Sequence, residues 1–219
     1  SSLYETYVCD LPTDPDEVMA RMPKRSRAEV RKARDRFGLE LVEGDEHADD
    51  LVELFHRSKQ NLGSPGLPAR WFRALREELP PGAVVHHAAR RAGETIAVLQ
   101  SFVLSGTVYV YYIGLADGAN REYSATNYSC AGIQEWGVRR GLTKFDLGRS
   151  RADSGAAAFK RNQGLTATPL PYAFHLVRSR ELPAFHPSNP RTEVLQKAWR
   201  KLPPFAARGL SSVLSRYLP

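Results

Sequence analysis

Apolar and polar residues alternate through Leu3-Tyr4-Glu5-Thr6-Tyr7-Val8-Cys9, and that period of two, rich in strand formers, predicts a strand. The period then changes. Thr13, Asp14 and Pro15 offer an N-cap and a first-turn proline for a helix reaching Phe37, with Pro23 marking a kink or break. Residues 39–42 predict a second strand. Leu51, Leu54, Phe55 and Leu62 recur at helical spacing, which predicts a helix over 48–61. After a turn at 63–68, a short helix over 69–79 is expected to point Trp71, Phe72 and Leu75 inward. Strands follow at 83–91, 95–104 and 107–115, and the short turns between them require an antiparallel meander. A long helix over 121–140 stops at Gly141, suited to the C′ position. A strand at 144–147 breaks at Gly148, a helix starts near Asp153-Ser154-Gly155, and a last core strand spans 170–177. The tail predicts a helix near 191–201, a stop at Pro203-Pro204 and an amphipathic end with Leu210, Val213, Leu214 and Leu218.

From residue 39 the order is β-α-α-β-β-β-α-β-α-β. It predicts an α/β (α+β) chain with a mixed sheet, three antiparallel strands leading into a parallel crossover. Three segments are expected: a lead-in strand and basic helix at 1–37, a central domain at 38–178 and a helical tail at 179–219. No run approaches the ~18–20 apolar residues of a membrane-spanning helix, so no transmembrane segment is expected. The chain begins Ser-Ser, with neither Met nor a signal-peptide core, which leaves trimming or a fragment open. Cys9 and Cys130 stand far apart without metal-ligand neighbours; no metal site is expected, and a reducing compartment is. The resulting expectation is a cytoplasmic protein, with the amphipathic tail leaving contact with the inner membrane face open.

The net charge of +7 is unevenly spread: residues 1–20 carry five acids and no base, 21–36 eight bases against two acids, and 178–219 again eight against two. Two basic blocks around a neutral middle point to a phosphate-bearing partner, and a solvated helix face is the plain alternative. Candidate chemistry is densest from Lys144 to Leu170. There Arg149-Ser150-Arg151 follows a strand, and a fresh helix carries Phe159-Lys160. A guanidinium, an ammonium and a helix N-terminus this close can converge on one anion or one developing negative charge. Arg149 suits bidentate contact with an anion, against an ion pair to Asp146 or Asp153. Ser150, Asp153 and Ser154 are N-cap candidates first and ligand contacts second.

Several motifs resemble those of a known family. Lys24-Arg25-Ser26-Arg27 with Val30-Arg31-Lys32-Ala33 resembles the K-x-R-x-x-I-R-K-A signature of FemAB proteins. Asn61-Leu62-Gly63-Ser64-Pro65 with Phe72 resembles their LGTP/LGSP loop. Asn127, Trp136 and Gly141, leading into FDLGRS and Phe159-Lys160-x-x-x-Gly164, match the N…W…G…FDFGRS…FK series. The ending, with Asn189-Pro190, Trp199 to Pro203 and a final Ser-Arg-x-x-Pro, is similar to FemAB-like proteins of PEP-CTERM/exosortase loci. The element order likewise resembles the GNAT acyltransferase fold. What the resemblance implies is a tandem-GNAT transferase, of which this chain holds the second half and its lead-in. It would move an aminoacyl group from aminoacyl-tRNA to an amine of a nucleotide-linked or peptide acceptor, typically a peptidoglycan precursor. The other half, or a second copy, would be a further partner. Lys160 and Arg149 would then serve the transfer, with Phe159, Asp146, Ser150, Asn127, Tyr112 and Ser64 about the substrate. Phe159 would pack or stack on a terminal adenine.

The donor has a second argument. Acetyl-CoA enzymes of this fold seat a pyrophosphate on backbone N–H groups of a glycine-rich strand-to-helix turn. The turn here, Leu115-Ala116-Asp117-Gly118-Ala119-Asn120-Arg121-Glu122, has one glycine and flanking acids, which disfavours acyl-CoA as the alternative donor; no tightly bound cofactor is expected. Lys24, Arg25, Arg27, Arg31 and Lys32 are the expected phosphate contacts, Arg27 and Arg31 lying one helical turn apart. No Asp, Glu or His stands out as a general base; His86 and His87 are expected on opposite faces of one strand, His175 and His186 lack a carboxylate partner in sequence, and none is expected to be indispensable.

Overall fold

A computed structural model describes residues 3–173, 175, 177 and 190–215. His186, Asn189 and residues 216–219 of the closing motif lie outside the described residues, as does most of the segment beyond 173. The strands are β1 (Tyr4–Asp10), β2 (Leu39–Glu43), β3 (Val84–Arg91), β4 (Glu94–Leu104), β5 (Thr107–Leu115), β6 (Lys144–Arg151) and β7 (Thr166–Leu170). They form one seven-stranded sheet in the order β2-β3-β4-β5-β6-β1-β7. The meander β3-β4-β5 is antiparallel as its two-residue turns demand, and β5 meets β6 in parallel. β1, assigned by its sequence to a lead-in, lies inside this sheet, antiparallel to β6 on one side and β7 on the other.

Helices cover both faces. They are α1 (Glu17–Arg21), α2 (Lys24–Arg31), α3 (Ala48–Leu62), α4 (Ala69–Glu78), α5 (Ala119–Tyr123), α6 (Ala125–Arg139), α7 (Gly155–Asn162), α8 (Pro190–Arg200) and α9 (Pro204–Leu214). Alternation in β4 divides the core: Leu99 joins Tyr7, Val30, Val108, Ile133, Phe145 and Ala157 on the face of α2, α6 and α7. Its neighbour Val98 joins Leu51, Leu54, Phe55, Phe72 and Tyr112 on the face of α3 and α4. Gly114 lets α3 approach β5 closely, since a Cβ there would stand 2.7 Å from the Phe55 backbone nitrogen.

The structure refines the local expectations in five places. Pro23 does break the first helix, into α1 and α2, and α2 continues as a π-helical turn over Lys32–Arg36. The helix expected over 121–140 is two, because Ser124 is left-handed (φ 54°), its hydroxyl donating to Glu29 (2.5 Å). Gly148 (φ 67°) does not end β6: pairing of Arg149, Ser150 and Arg151 with β1 carries the strand on through a bulge. Trp71 of α4 is 45% exposed while Phe72 is buried, so only part of the expected inward face is inward. The strand expected over 170–177 lies earlier, as β7.

Candidate functional site: a cleft between diverging strands

β5 and β6 pair at only three positions, Thr107, Val108 and Tyr109 against Lys144, Phe145 and Asp146. Beyond them the strands part. β5 stays with β4 through a bulge that adds Tyr111 opposite Gln100 and Ser101, while β6 is held to β1 through its own irregularity at Gly148. A cleft of about 590 Å³ opens between the two arms. Val110, Tyr111, Ile113 and Leu115 line one wall, Leu147, Gly148 and Arg149 the other. α3 adds Ser58 and Leu62, α5 and α6 add Asn120 and Thr126, and α7 adds Ala156, Phe159 and Lys160.

A strand that loses its neighbour leaves main-chain carbonyls without partners, and these must be satisfied in another way. Lys160 supplies it. Its Nζ donates to the carbonyls of Leu147 (2.5 Å), Gly148 (3.0 Å) and Arg149 (3.1 Å), using all three ammonium hydrogens. The ring of Tyr7 lies 5.5 Å below. Burial pushes the Lys160 pKa down to about 8, while the nearby Asp146 carboxylate pulls it up. Beneath it the fully buried Cys130 thiol is pushed up to about 12 and stays neutral. Asp146 is half-buried; burial raises its pKa, and the Gly148 N–H it accepts (2.5 Å) and Lys160 oppose the rise. Its carboxylate therefore fixes the bulge rather than Arg149.

Arg149 stands at the mouth and pairs with neither Asp146 nor Asp153. It donates to the Tyr172 hydroxyl (2.7 Å) and lies 5.3 Å from the Tyr4 ring centroid. Arg151 takes Asp153 (2.8 Å), and Ser154 is the cap, its Oγ accepting from Ala157 N–H. Ser150 is buried across from Glu5 and is not among the cleft-lining residues. Phe159 walls two spaces: the cleft, and a neighbouring pocket of about 270 Å³ shared with Arg25, Ser26, Glu29, Asn127 and Asn162. There Asn127 accepts from Gln163, and Ser26 donates to the Asn162 carbonyl, docking the basic helix against the end of α7. Lys24, Arg25, Arg31 and Lys32 are exposed and Arg27 half-buried. Among the described residues Lys24, Arg25, Arg27 and Arg31 have no ion-pair partner, whereas Lys32 lies over the Phe37 ring.

Two further candidate residues lie away from the cleft. Tyr112 packs among Phe55, Phe72 and Phe102, its hydroxyl accepting from Trp71 Nε1 (2.9 Å), because the bulge at Tyr111 turns it into the α3 core. Ser64 closes α3, its N–H on the Lys59 carbonyl (3.0 Å), and borders a separate pocket against α8 and α9. Conversely, sequence reading passed over Tyr111, Ser58, Asn120 and Thr126. Tyr111 is 65% exposed at the cleft, and Thr126 is buried there with its hydroxyl lacking a partner among the described residues. No short-range pattern marks a strand bulge, so these four carried no signal.

No Asp, Glu or His lines the cleft among the described residues, and no group of three or more potential metal ligands occurs among them. His86 and His87 are buried, His86 between Asp45 and Gln100 and His87 against Trp136. The turn after β5 is occupied by its own acids. Asp117 accepts from Asn61 (2.8 Å) and pairs with Arg57 (3.4 Å), and the Glu122 carboxylate sits where a Gly118 Cβ would point.

A sheet splayed beside a helix start, with the cleft between its arms, is the architecture of an acyltransferase of GNAT type. The chain belongs to the acetyltransferase (GNAT) domain family, whose model matches residues 20–161, and is a transferase by that membership. Its fold is similar to that of FemX (14% identity, TM-score 0.66), covering 75% of this chain and 59% of that one. It is similar also to L-PGS from Bacillus licheniformis (15% identity, TM-score 0.52; 75% and 58% covered). The chain thus spans less than two thirds of either protein. A search of curated proteins found none that matches. No helix among the described residues is long and apolar enough to cross a membrane.

Proposed function

We propose that this chain transfers an aminoacyl group from aminoacyl-tRNA to an amine of a peptidoglycan precursor or another cell-envelope acceptor. One observation carries the reading: the charged groups lining the cleft are cations, whereas the turn that would cradle a coenzyme A pyrophosphate holds Asp117 and Glu122. A diphosphate placed there would meet the Asp117 and Glu122 carboxylates, paired with Arg57 and Arg121, instead of a glycine-rich turn. An RNA end entering past α2 would meet unpaired arginines and then Phe159.

In the transfer, the acceptor amine attacks the ester carbonyl carbon, a C–N bond forms, and negative charge gathers on the carbonyl oxygen. The C–O bond to the terminal ribose then breaks, and that ribose oxygen leaves with the proton the amine has lost. Lys160 is the one ammonium lining the cleft among the described residues and stabilises the oxyanion by its field, or by exchanging one main-chain carbonyl for it. With no carboxylate or imidazole on the walls among the described residues, the departing ribose oxygen and solvent carry the proton.

GNAT membership itself favours a second reading, transfer of an acyl group from acyl-CoA to a small amine. Incubation with charged tRNA and, separately, with acetyl-CoA, each with a set of amine acceptors, separates the two. Deacylation of tRNA matched by amide formation is expected; turnover with acetyl-CoA alone would overturn the tRNA reading. Binding of charged tRNA without turnover for any amine would point to a non-catalytic RNA-binding module.

A further inference from the structure

The tail helices wear their large apolar side chains on the outside. α9 packs with its small residues: Ala207 and Ser211 are buried, and the Ser211 hydroxyl accepts from Gly66 N–H (3.1 Å). Phe205, Leu210 and Val213 are 78%, 45% and 58% exposed. α8 does the same. Its backbone closes on Gly63, where a Cβ would lie 2.8 Å from Gln196, while Val194 and Leu195 are 67% and 70% exposed. A helix that only shields a core does the reverse, burying its Phe, Leu and Val and showing solvent its Ser and Ala. Scattered single apolar residues need no explanation, but five on two consecutive helices do.

Charge sets the kind of partner. Residues 190–215 hold five bases and one acid, and that acid, Glu193, is already paired with Lys197 (2.9 Å). Lys197, Arg200, Lys201 and Arg208 are exposed among the apolar side chains, Arg208 lying 3.9 Å from Glu53 of α3. The centre of a protein–protein patch is depleted of such charges, whereas short helices mixing Phe, Leu and Val with Lys and Arg suit the headgroup region of an anionic membrane. We propose that the α8–α9 face docks on an anionic phospholipid bilayer, Phe205, Val213, Val194 and Leu195 entering the headgroup layer and the four cations meeting lipid phosphates. Leu62, 64% exposed, lies where this face meets the cleft, its carbonyl facing Arg200. If the transfer reading holds, docking brings the cleft to an acceptor displayed on the lipid surface; the docking itself stands without it.

The test is flotation of the full chain with vesicles of phosphatidylcholine containing roughly a third phosphatidylglycerol, against phosphatidylcholine alone. Binding to the anionic vesicles only, weakened by salt, is expected. Lys197→Gln with Arg200→Gln should lower the partition coefficient ~5-fold per charge removed. Phe205→Ser with Val213→Ser should lower it ~10-fold or more. Both variants should melt close to the wild type, since all four side chains are exposed and the Glu193 pair and Leu62 bond lost by the first lie at the surface. Equal binding to both vesicle types, no binding, or undiminished binding by the variants would overturn the proposal. So would a wild-type dimer that the Phe205→Ser/Val213→Ser variant dissolves, because the face would then belong to a second copy. Vesicle binding is read without turnover, so a failed transfer assay leaves this result intact.

Discussion

Replacing Lys160 by Met keeps the length of the side chain and removes its charge and its three donors. The ammonium serves three carbonyls at 2.5–3.1 Å, and each charge-assisted bond contributes ~1.5–3 kcal/mol where nothing replaces it. These carbonyls border an open cleft that water can enter, so the total loss falls to about 2 kcal/mol, or ~4–8 °C in melting temperature for a chain of this size. The effect on transfer is larger. Loss of the ammonium proposed to face the developing oxyanion should cost ~10²–10³ in rate, or ~3–4 kcal/mol of transition-state stabilisation. Single-turnover transfer at a temperature where both proteins are folded separates the two effects. The pH dependence adds a second readout. With the Lys160 pKa near 8, the cation is present below that pH and lost above it, so the wild-type rate should fall on the alkaline side near 8. Stability moves the opposite way. Between about 8 and the ordinary 10.5 the unfolded chain binds more protons at this lysine than the folded one, so wild-type stability gains with rising pH relative to Met. Met within about tenfold of the wild-type rate, or an alkaline limb near 8 that survives in Met, would refute the electrostatic role.

Three further outcomes follow from the geometry. Gly114→Ala should destabilise by ~1–3 kcal/mol, read by thermal melting, because its Cβ would meet the α3 backbone at Phe55 and Leu54; an unchanged melting temperature would show that α3 can retreat. Arg25→Gln with Arg31→Gln should weaken tRNA binding and flatten its log–log salt dependence by ~1–2 units, and an unaltered slope would exclude phosphate contact. Burial lowers the His87 pKa to about 4, so from pH 6.5 down to about 4 the unfolded chain takes up a proton that the folded one refuses. Wild-type stability should therefore decline over that window by up to about 3 kcal/mol, and His87→Leu should flatten the decline; parallel curves for the two proteins would clear His87 of the effect.

Sequence reading succeeds here where structure is local. The meander was legible because turns of two residues leave antiparallel pairing as the only solution, and Pro23 broke its helix for reasons contained in the proline itself. It fails where a distant partner decides. Gly148 reads as a stop until β1 arrives to hydrogen-bond the residues after it. Ser124 reads as mid-helix until Glu29, 95 positions away, accepts its hydroxyl. The site divides in the same way. Lys160 was found through a motif, but the three carbonyls that hold it exist only because β5 and β6 diverge. Tyr112 and Tyr111 are neighbours of one type, and a single bulged residue sends the first into the core and the second to the cleft.

β1 has a consequence for how this molecule is born. Its hydrogen-bond partners lie in residues 144–151 and 166–170, so β1 waits unpaired until synthesis has run on past residue 144. Loop closure over that separation is slow compared with local pairing, and the meander can be in place long before it. The wall carrying Leu147, Gly148 and Arg149 is held by this late-closing ribbon, so the nascent polypeptide acquires its meander early and a finished cleft only later.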